Sequence, residues 1–177
     1  RASSVMKEAI YAVGDSFHLP AGWLNSDFVQ TKSYTPRLIQ YSKYYKTFSN
    51  ILTVRTITAE YLIAMKLMSS RQYKNDLSDI VGILLEEQNH ENVLTYKDID
   101  QAVIHLYESW DNLPIGAKKF IENVFESCNL ENLYHVYQSN EISARNVLLD
   151  FEKNYPGVTH ENNVDNIIST LKLKKNE

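Results

Sequence analysis

The sequence predicts an α+β fold that is predominantly helical, with one β-hairpin followed by a C-terminal helical bundle. Three observations carry this. Apolar residues recur at spacings of three and four along most of the chain, the period of a helix with one buried face. A single run from Ile39 to Ile57 departs from that texture and is dense in aromatic and β-branched side chains. The composition, 44% hydrophobic and 23% charged over 177 residues, is that of an ordinary globular domain with a core to bury.

In order along the chain, Val5, Ala9, Ile10, Ala12, Val13 and Phe17 line one face of a helix over residues 3 to 17, which Pro20 and Gly22 end. Trp23, Leu24, Phe28 and Val29 suit a second, short helical segment, broken by Thr35-Pro36. In the run that follows, Tyr41, Tyr44, Tyr45, Phe48, Ile51, Thr53, Val54, Thr56 and Ile57 fit a pleated surface. Ser49-Asn50 divides it with a turn, so the segment reads as strand, tight turn, strand.

Thr58 then caps a helix with Glu60 in its first turn; its inward face is either Tyr61, Leu62, Met65 and Met68 or Leu62, Ile63, Lys66 and Leu67. A polar break from Ser69 to Asn75 precedes a helix with Leu77, Ile80, Val81, Leu84 and Leu85 on one side. On another side of it Asp76 and Asp79, three apart, are neighbours. Thr95 to Asp98 forms a capping box with Asp in place of Glu, opening a helix with Ile99, Val103, Leu106, Tyr107 and Trp110.

Pro114 opens a further helix carrying Phe120, Ile121, Val124 and Phe125. Leu130, Leu133, Tyr134 and Tyr137 form a short one, and Ile142 to Tyr155 another, stopped by Pro156-Gly157. A last helix runs through Val164, Ile167, Ile168 and Leu171 into a frayed tail, Lys172 to Glu177. A boundary near Glu91 separates residues 1–91 from a bundle over 92–177.

Net charge is −4, but its distribution is uneven. Through Asn75 there are ten Lys/Arg against four Asp/Glu; from Asp76 there are eight against eighteen. A polyanion such as RNA is attracted to the first part and repelled by the second. No apolar stretch approaches the roughly 20 residues needed to cross a bilayer, so no membrane role is expected. The opening RASSVMKEAI has neither an initiator methionine nor a signal-like apolar run, and reads as a chain entered partway. The single cysteine, Cys128, follows an apolar helical pattern and is expected to be buried; together with the missing signal this favours a cytoplasmic location.

Common catalytic constellations are not found. The five histidines are scattered, with no pair at metal-ligating spacing, and there is no Gly-x-Ser-x-Gly elbow or phosphate-cradling glycine loop. The sole Asp-x-Asp, Asp98 to Asp100, falls in the first turn of a predicted helix, where the helix dipole alone favours acids. Tyr41, Tyr44 and Tyr45 fit base stacking, though aromatics are also ordinary strand formers.

The stretches HLPAGWLNSDFV and ILTVRTITAEYLIAMKLMSSRQYKNDLSDIVGILLEE resemble the back half of bacterial nucleotidyltransferase-like proteins of the abortive-infection and minimal-nucleotidyltransferase kind. The resemblance covers roughly residues 1 to 88. It rests on Leu19, Pro20, Trp23, Leu24 and Asn25, and on Lys66, Arg71, Lys74, Asp76 and Asp79. It implies that the hairpin is a remnant of that family's sheet. It also implies that Lys66 faces nucleotide phosphates, with Arg71, Lys74, Asp76 and Asp79 binding nucleotide or supporting the site. The family's Gly-Ser turn and Asp-x-Asp strand, which hold Mg²⁺, do not occur before Ile39, so this chain alone is expected to be inactive.

Two functions follow. In one, the intact protein moves a nucleoside monophosphate from an NTP to a protein or RNA acceptor in a toxin-antitoxin or phage-defence system. In the other, the chain is a non-catalytic helical interaction module whose acidic bundle docks a basic partner, such as a cognate toxin or antitoxin. The plainer reading of Lys66, Arg71, Asp76 and Asp79 is a charged cluster that joins two helices.

Overall fold

A computed structural model describes residues 4–160 and 163–175, with side chains in the last helix described to Leu171. It is α+β and predominantly helical: among the described residues there are eight α-helices and one antiparallel hairpin. The order is α1 (Ser4–Phe17), α2 (Leu38–Tyr41), β1 (Lys43–Phe48), β2 (Leu52–Thr56), α3 (Ala59–Ser69), α4 (Asp76–Asn89), α5 (Tyr96–Tyr107), α6 (Ala117–Glu126), α7 (Leu130–Asn154) and α8 (Val164–Lys175).

The main core is formed by α3 to α6. Ile63 and Leu67 of α3 meet Ile80 and Val81 of α4, Ile99 and Val103 of α5, and Ile121 of α6, all fully buried. This settles the inward face of α3: Ile63 and Leu67 point in, while Tyr61, Met65 and Met68 pack at its margin. The core draws residues from both sides of Glu91. A smaller cluster joins Ala144 of α7 to Val164 and Ile168 of α8.

The hairpin forms where the aromatic run predicts it. Ser49 and Asn50 both have positive φ, 48° and 54°, and Ile51 N–H donates to the Phe48 carbonyl at 2.9 Å. Two successive left-handed residues match the twist of a hairpin, and asparagine tolerates that region better than most side chains. A bulge interrupts the register between Tyr44 and Lys46, and Thr47 faces Thr53 with hydroxyl oxygens 3.1 Å apart. Ile39 and Tyr41 belong to the short α2 and not to the strand. Its start is tied to the body by buried Leu38 and by Tyr107, whose hydroxyl donates to the Ser33 carbonyl at 2.7 Å.

Helix α1 covers Ser4–Phe17 of the expected span, Ser3 lying outside the described residues, and none of its residues is buried. It is held by the segment after it: the Trp23 indole donates to the Ile10 carbonyl at 3.1 Å. Gly14 permits this approach, since a Cβ there would lie 3.0 Å from the indole nitrogen. The expected helix around Trp23 to Val29 is only a 3₁₀ turn, Asp27–Gln30.

Five further expectations change. Helix α5 stops at Tyr107 because Glu108 takes φ 71°, so Trp110 lies beyond it in a 3₁₀ turn and donates to Asp100 at 2.7 Å. Helix α6 begins at Ala117 behind left-handed Gly116, three residues after Pro114. The two short helices expected over 130–155 are one helix, α7, because no Gly or Pro interrupts Gln138 to Glu141. Cys128 is exposed in the turn between α6 and α7, because α6 has already ended at Glu126. The capping box at Thr95 and Asp98 is present as expected, with both reciprocal bonds. Helix α8 continues to Lys175, through residues expected to fray; Asn176 and Glu177 lie outside the described residues.

Candidate functional site

The charged residues that the sequence singles out meet where α3 hands over to α4. Ser70 closes α3 in the left-handed region with φ 44°, and its N–H donates to the Lys66 carbonyl at 2.8 Å. The chain then turns, and Asp76 becomes the first residue of α4, where a negative charge suits the helix dipole. This brings Lys66, Arg71, Asp76 and Asp79 together across the α3–α4 joint.

Asp76 is the centre of the group. Its carboxylate accepts from Arg71 Nε at 2.8 Å, Arg71 Nη2 at 3.2 Å, the Arg71 backbone N–H at 3.2 Å and Lys66 Nζ at 3.2 Å. Its side chain is 1% exposed, against 27% for Lys66 and 36% for Arg71. Lys66 Nζ also donates to Asp79 Oδ2 at 2.6 Å, and Asp79 is 42% exposed.

Burial would raise the Asp76 carboxyl, but the hydrogen bonds and charge of Arg71, with that of Lys66, hold it below the usual carboxylate range. For Lys66 burial pulls the other way, yet Asp79 and Asp76 outweigh it and hold the ammonium above its ordinary value. Two cations and two carboxylates therefore neutralise one another at contact distance. Lys74 stays outside the group, exposed, with Nζ 5.8 Å from the centre of the Tyr73 ring.

The start of α4 is also occupied. Glu141, reaching from the middle of α7, accepts from the Leu77 N–H at 2.8 Å and the Ser78 N–H at 3.4 Å. Its relative exposure is 2%. Burial raises its pKa, in opposition to the hydrogen bonds from Ser78 and Leu77. A carboxylate of the chain thus takes the helix-end N–H groups that a phosphate would use. Sequence reasoning missed this residue. Its only signal was an acid in a polar run lacking helix breakers, and its partners lie more than sixty residues away.

The acids do not form a metal site with one another. Asp76 is enclosed by cations, and one oxygen of Asp79 is held by Lys66. Asp98 is engaged with Thr95, and Asp100 accepts from Trp110. Among the described residues no group of three or more His, Cys, Asp or Glu is placed to hold a metal ion.

The other matched element, Leu19 to Asn25, lines a cavity of about 680 Å³ together with Ile10, Tyr11 and Gly14 of α1. Asn25 serves the local turn: its amide donates to the Gly22 carbonyl at 3.0 Å and its oxygen accepts from the Asp27 N–H at 2.9 Å.

The tyrosines divide into two sets. Tyr41 is stacked on His105 with ring centres 4.4 Å apart and on Tyr61 at 5.2 Å, and the Tyr61 hydroxyl lies 2.8 Å from His105 Nδ1. Tyr44 and Tyr45 are open to solvent, 61% and 65% exposed. Lys46, also exposed, holds its Nζ 5.0 Å from the centre of the Phe48 ring.

Among the described residues no helix is long and apolar enough to cross a membrane. No family model, curated protein or solved structure matches the chain.

Proposed function

We propose that this chain is a non-catalytic binding module that takes an anionic partner on its projecting hairpin. One contrast carries the reading. Lys66 and Arg71, the cations that would face a nucleotide, are neutralised by Asp76 and Asp79, whereas Lys43 and Lys46 of β1 are exposed beside exposed tyrosines. A cation already paired with a carboxylate at 2.6 to 3.2 Å must break that pair to meet a phosphate. An exposed lysine need only shed water and counterions.

The root of the hairpin is packed on the helical body. Leu38 is buried, Tyr41 is stacked on His105, and Arg55 Nε donates to Ser42 Oγ at 2.7 Å. The test is binding of the whole chain to inorganic polyphosphate at low salt, compared with the Lys43→Gln/Lys46→Gln variant. Binding that falls with salt and with the double substitution is expected. No binding near 50 mM salt, or binding indifferent to both lysines, would overturn the reading.

The second reading is nucleotidyl transfer by a protein in which this chain is the back part of the domain. It is supported by the succession of hairpin, α3 and α4 that the resemblance implies, and by the position of Lys66 between Asp76 and Asp79. In that reading NTP and Mg²⁺ bind, the acceptor is an RNA or a cognate toxin or antitoxin protein, and the location is cytoplasmic. Labelled NTPs with Mg²⁺ decide it: transfer that disappears in Lys66→Met would replace the binding-module reading.

A further inference from the structure

Between Asp27 and Glu60 the chain contains five Lys/Arg and no Asp or Glu, the longest acid-free stretch that bears cations. The hairpin is the part of this stretch that stands out from the body. Its first strand reads KYYKTF, and every residue of it except Thr47 is exposed. On β2 only Val54 is partly covered. Isolated two-stranded hairpins are marginal in water, and large exposed aromatics on a protein surface mark contact sites.

We propose that β1 binds single-stranded RNA or DNA from both of its faces: the register sets Tyr44 with Arg55 on one face and Lys43, Lys46 and Phe48 on the other, bases stacking on Tyr44, Tyr45 and Phe48 while Lys43, Lys46 and Arg55 track phosphates. This rests on the binding-module reading and names its anionic partner. The geometry suits bases better than an acidic peptide. The Tyr44 hydroxyl accepts from the Thr47 N–H at 2.8 Å, which fixes its ring along the strand, and the ring remains mostly open. Arg55 lies opposite Tyr44 in the register and is anchored on Ser42, so it shares the Tyr44 face of the hairpin. Lysines and aromatic rings exposed on the same strand offer both the charge and the stacking surface that a nucleic acid uses; a carboxylate polymer gives the rings nothing to stack on.

Fluorescence anisotropy with a labelled oligouridylate of about twelve nucleotides, within the usual site size, tests this. The comparison ligands are the same length of RNA as a duplex and a polyglutamate. The single strand is expected to bind more tightly than either. Tyr45→Ala should weaken it about ten-fold while Tyr45→Phe retains it, because the ring and not the hydroxyl does the stacking. Three phosphate contacts predict an affinity that falls with salt at a logarithmic slope of about 2.

Ile51→Ser, at the hairpin tip, is expected to leave RNA binding intact. Circular dichroism of each variant checks the fold, and the Phe variant keeps the test decisive if the Ala variant is unfolded. Equal binding of polyglutamate that depends on Lys43 and Lys46 but not on the rings would overturn this inference and leave the anionic-partner reading in place. Failure of all three ligands while polyphosphate still binds would overturn this inference alone, and failure of polyphosphate as well would overturn both.

Discussion

Removing Asp76 is the sharpest perturbation of the α3–α4 joint. Asp76→Ala leaves Lys66 and Arg71 facing each other without the carboxylate that separates them. Breaking a fully buried pair costs roughly 3–5 kcal/mol. Here Asp76 is buried, but Lys66 and Arg71 keep about a quarter to a third of their exposure and regain water, which lowers the expected loss to about 2–3 kcal/mol. At roughly 2–4 °C per kcal/mol for a chain of this size, Tm falls by about 4–12 °C. Asp79→Ala is the internal control, since it breaks an accessible pair whose value is about 0–1 kcal/mol.

Urea unfolding followed by circular dichroism measures both variants. The acid dependence has a definite sign. Asp76 is held below its ordinary range, so its contribution is complete above about pH 4 and is lost as pH falls through the lowered value. Lys66 is held above its ordinary value, so its contribution stands at neutral pH and is lost only as pH rises through the raised value. Equal losses for the two aspartate variants, or a neutral Asp76→Ala, would refute Asp76 as the centre of the joint.

Three further outcomes follow from the structure. Glu141→Ala, which strips acceptors from the Leu77 and Ser78 N–H groups, should cost about 1–3 kcal/mol by urea unfolding, whereas Glu141→Gln keeps an acceptor and should stay within about 1 kcal/mol at pH 7. The raised Glu141 carboxyl makes the wild type lose stability as pH rises from its ordinary range through the raised value; a Gln variant with an unchanged slope there would contradict this. Cys128 should react fully with a thiol reagent in the folded protein without denaturant, and protection until unfolding would contradict its exposed position.

What was legible in the sequence was local. Ser49-Asn50 between two aromatic and β-branched runs announces a hairpin because turn chemistry and strand preference act over a few residues. Thr95 and Asp98 announce a helix start for the same reason. The meeting of Lys66 with Asp76 and Asp79 was legible too, since one short break joins the two helices that carry them. Non-local features were not. Glu141 becomes a cap only because α7 crosses the start of α4, and nothing in the polar run around it announces that partner. Trp110 had the right spacing for α5, but a left-handed Glu108 and the bond to Asp100 draw it off the helix. Cys128 followed an apolar pattern that stops two residues before it.

The same local reading placed Tyr41 with Tyr44 and Tyr45. Tertiary packing separates them, because His105 and Tyr61 cover Tyr41 while the bulged strand carries the other two outward. That separation divides a structural aromatic cluster from the exposed one on which the proposed function rests.

Backbone amide shifts of the labelled full chain, recorded during titration with the oligouridylate, test this division most directly. Changes concentrated in Lys43–Phe48 and Leu52–Thr56, with residues 66–79 unmoved, are the predicted result. Changes centred on Lys66, Arg71 and Asp79, with the hairpin silent, would contradict it.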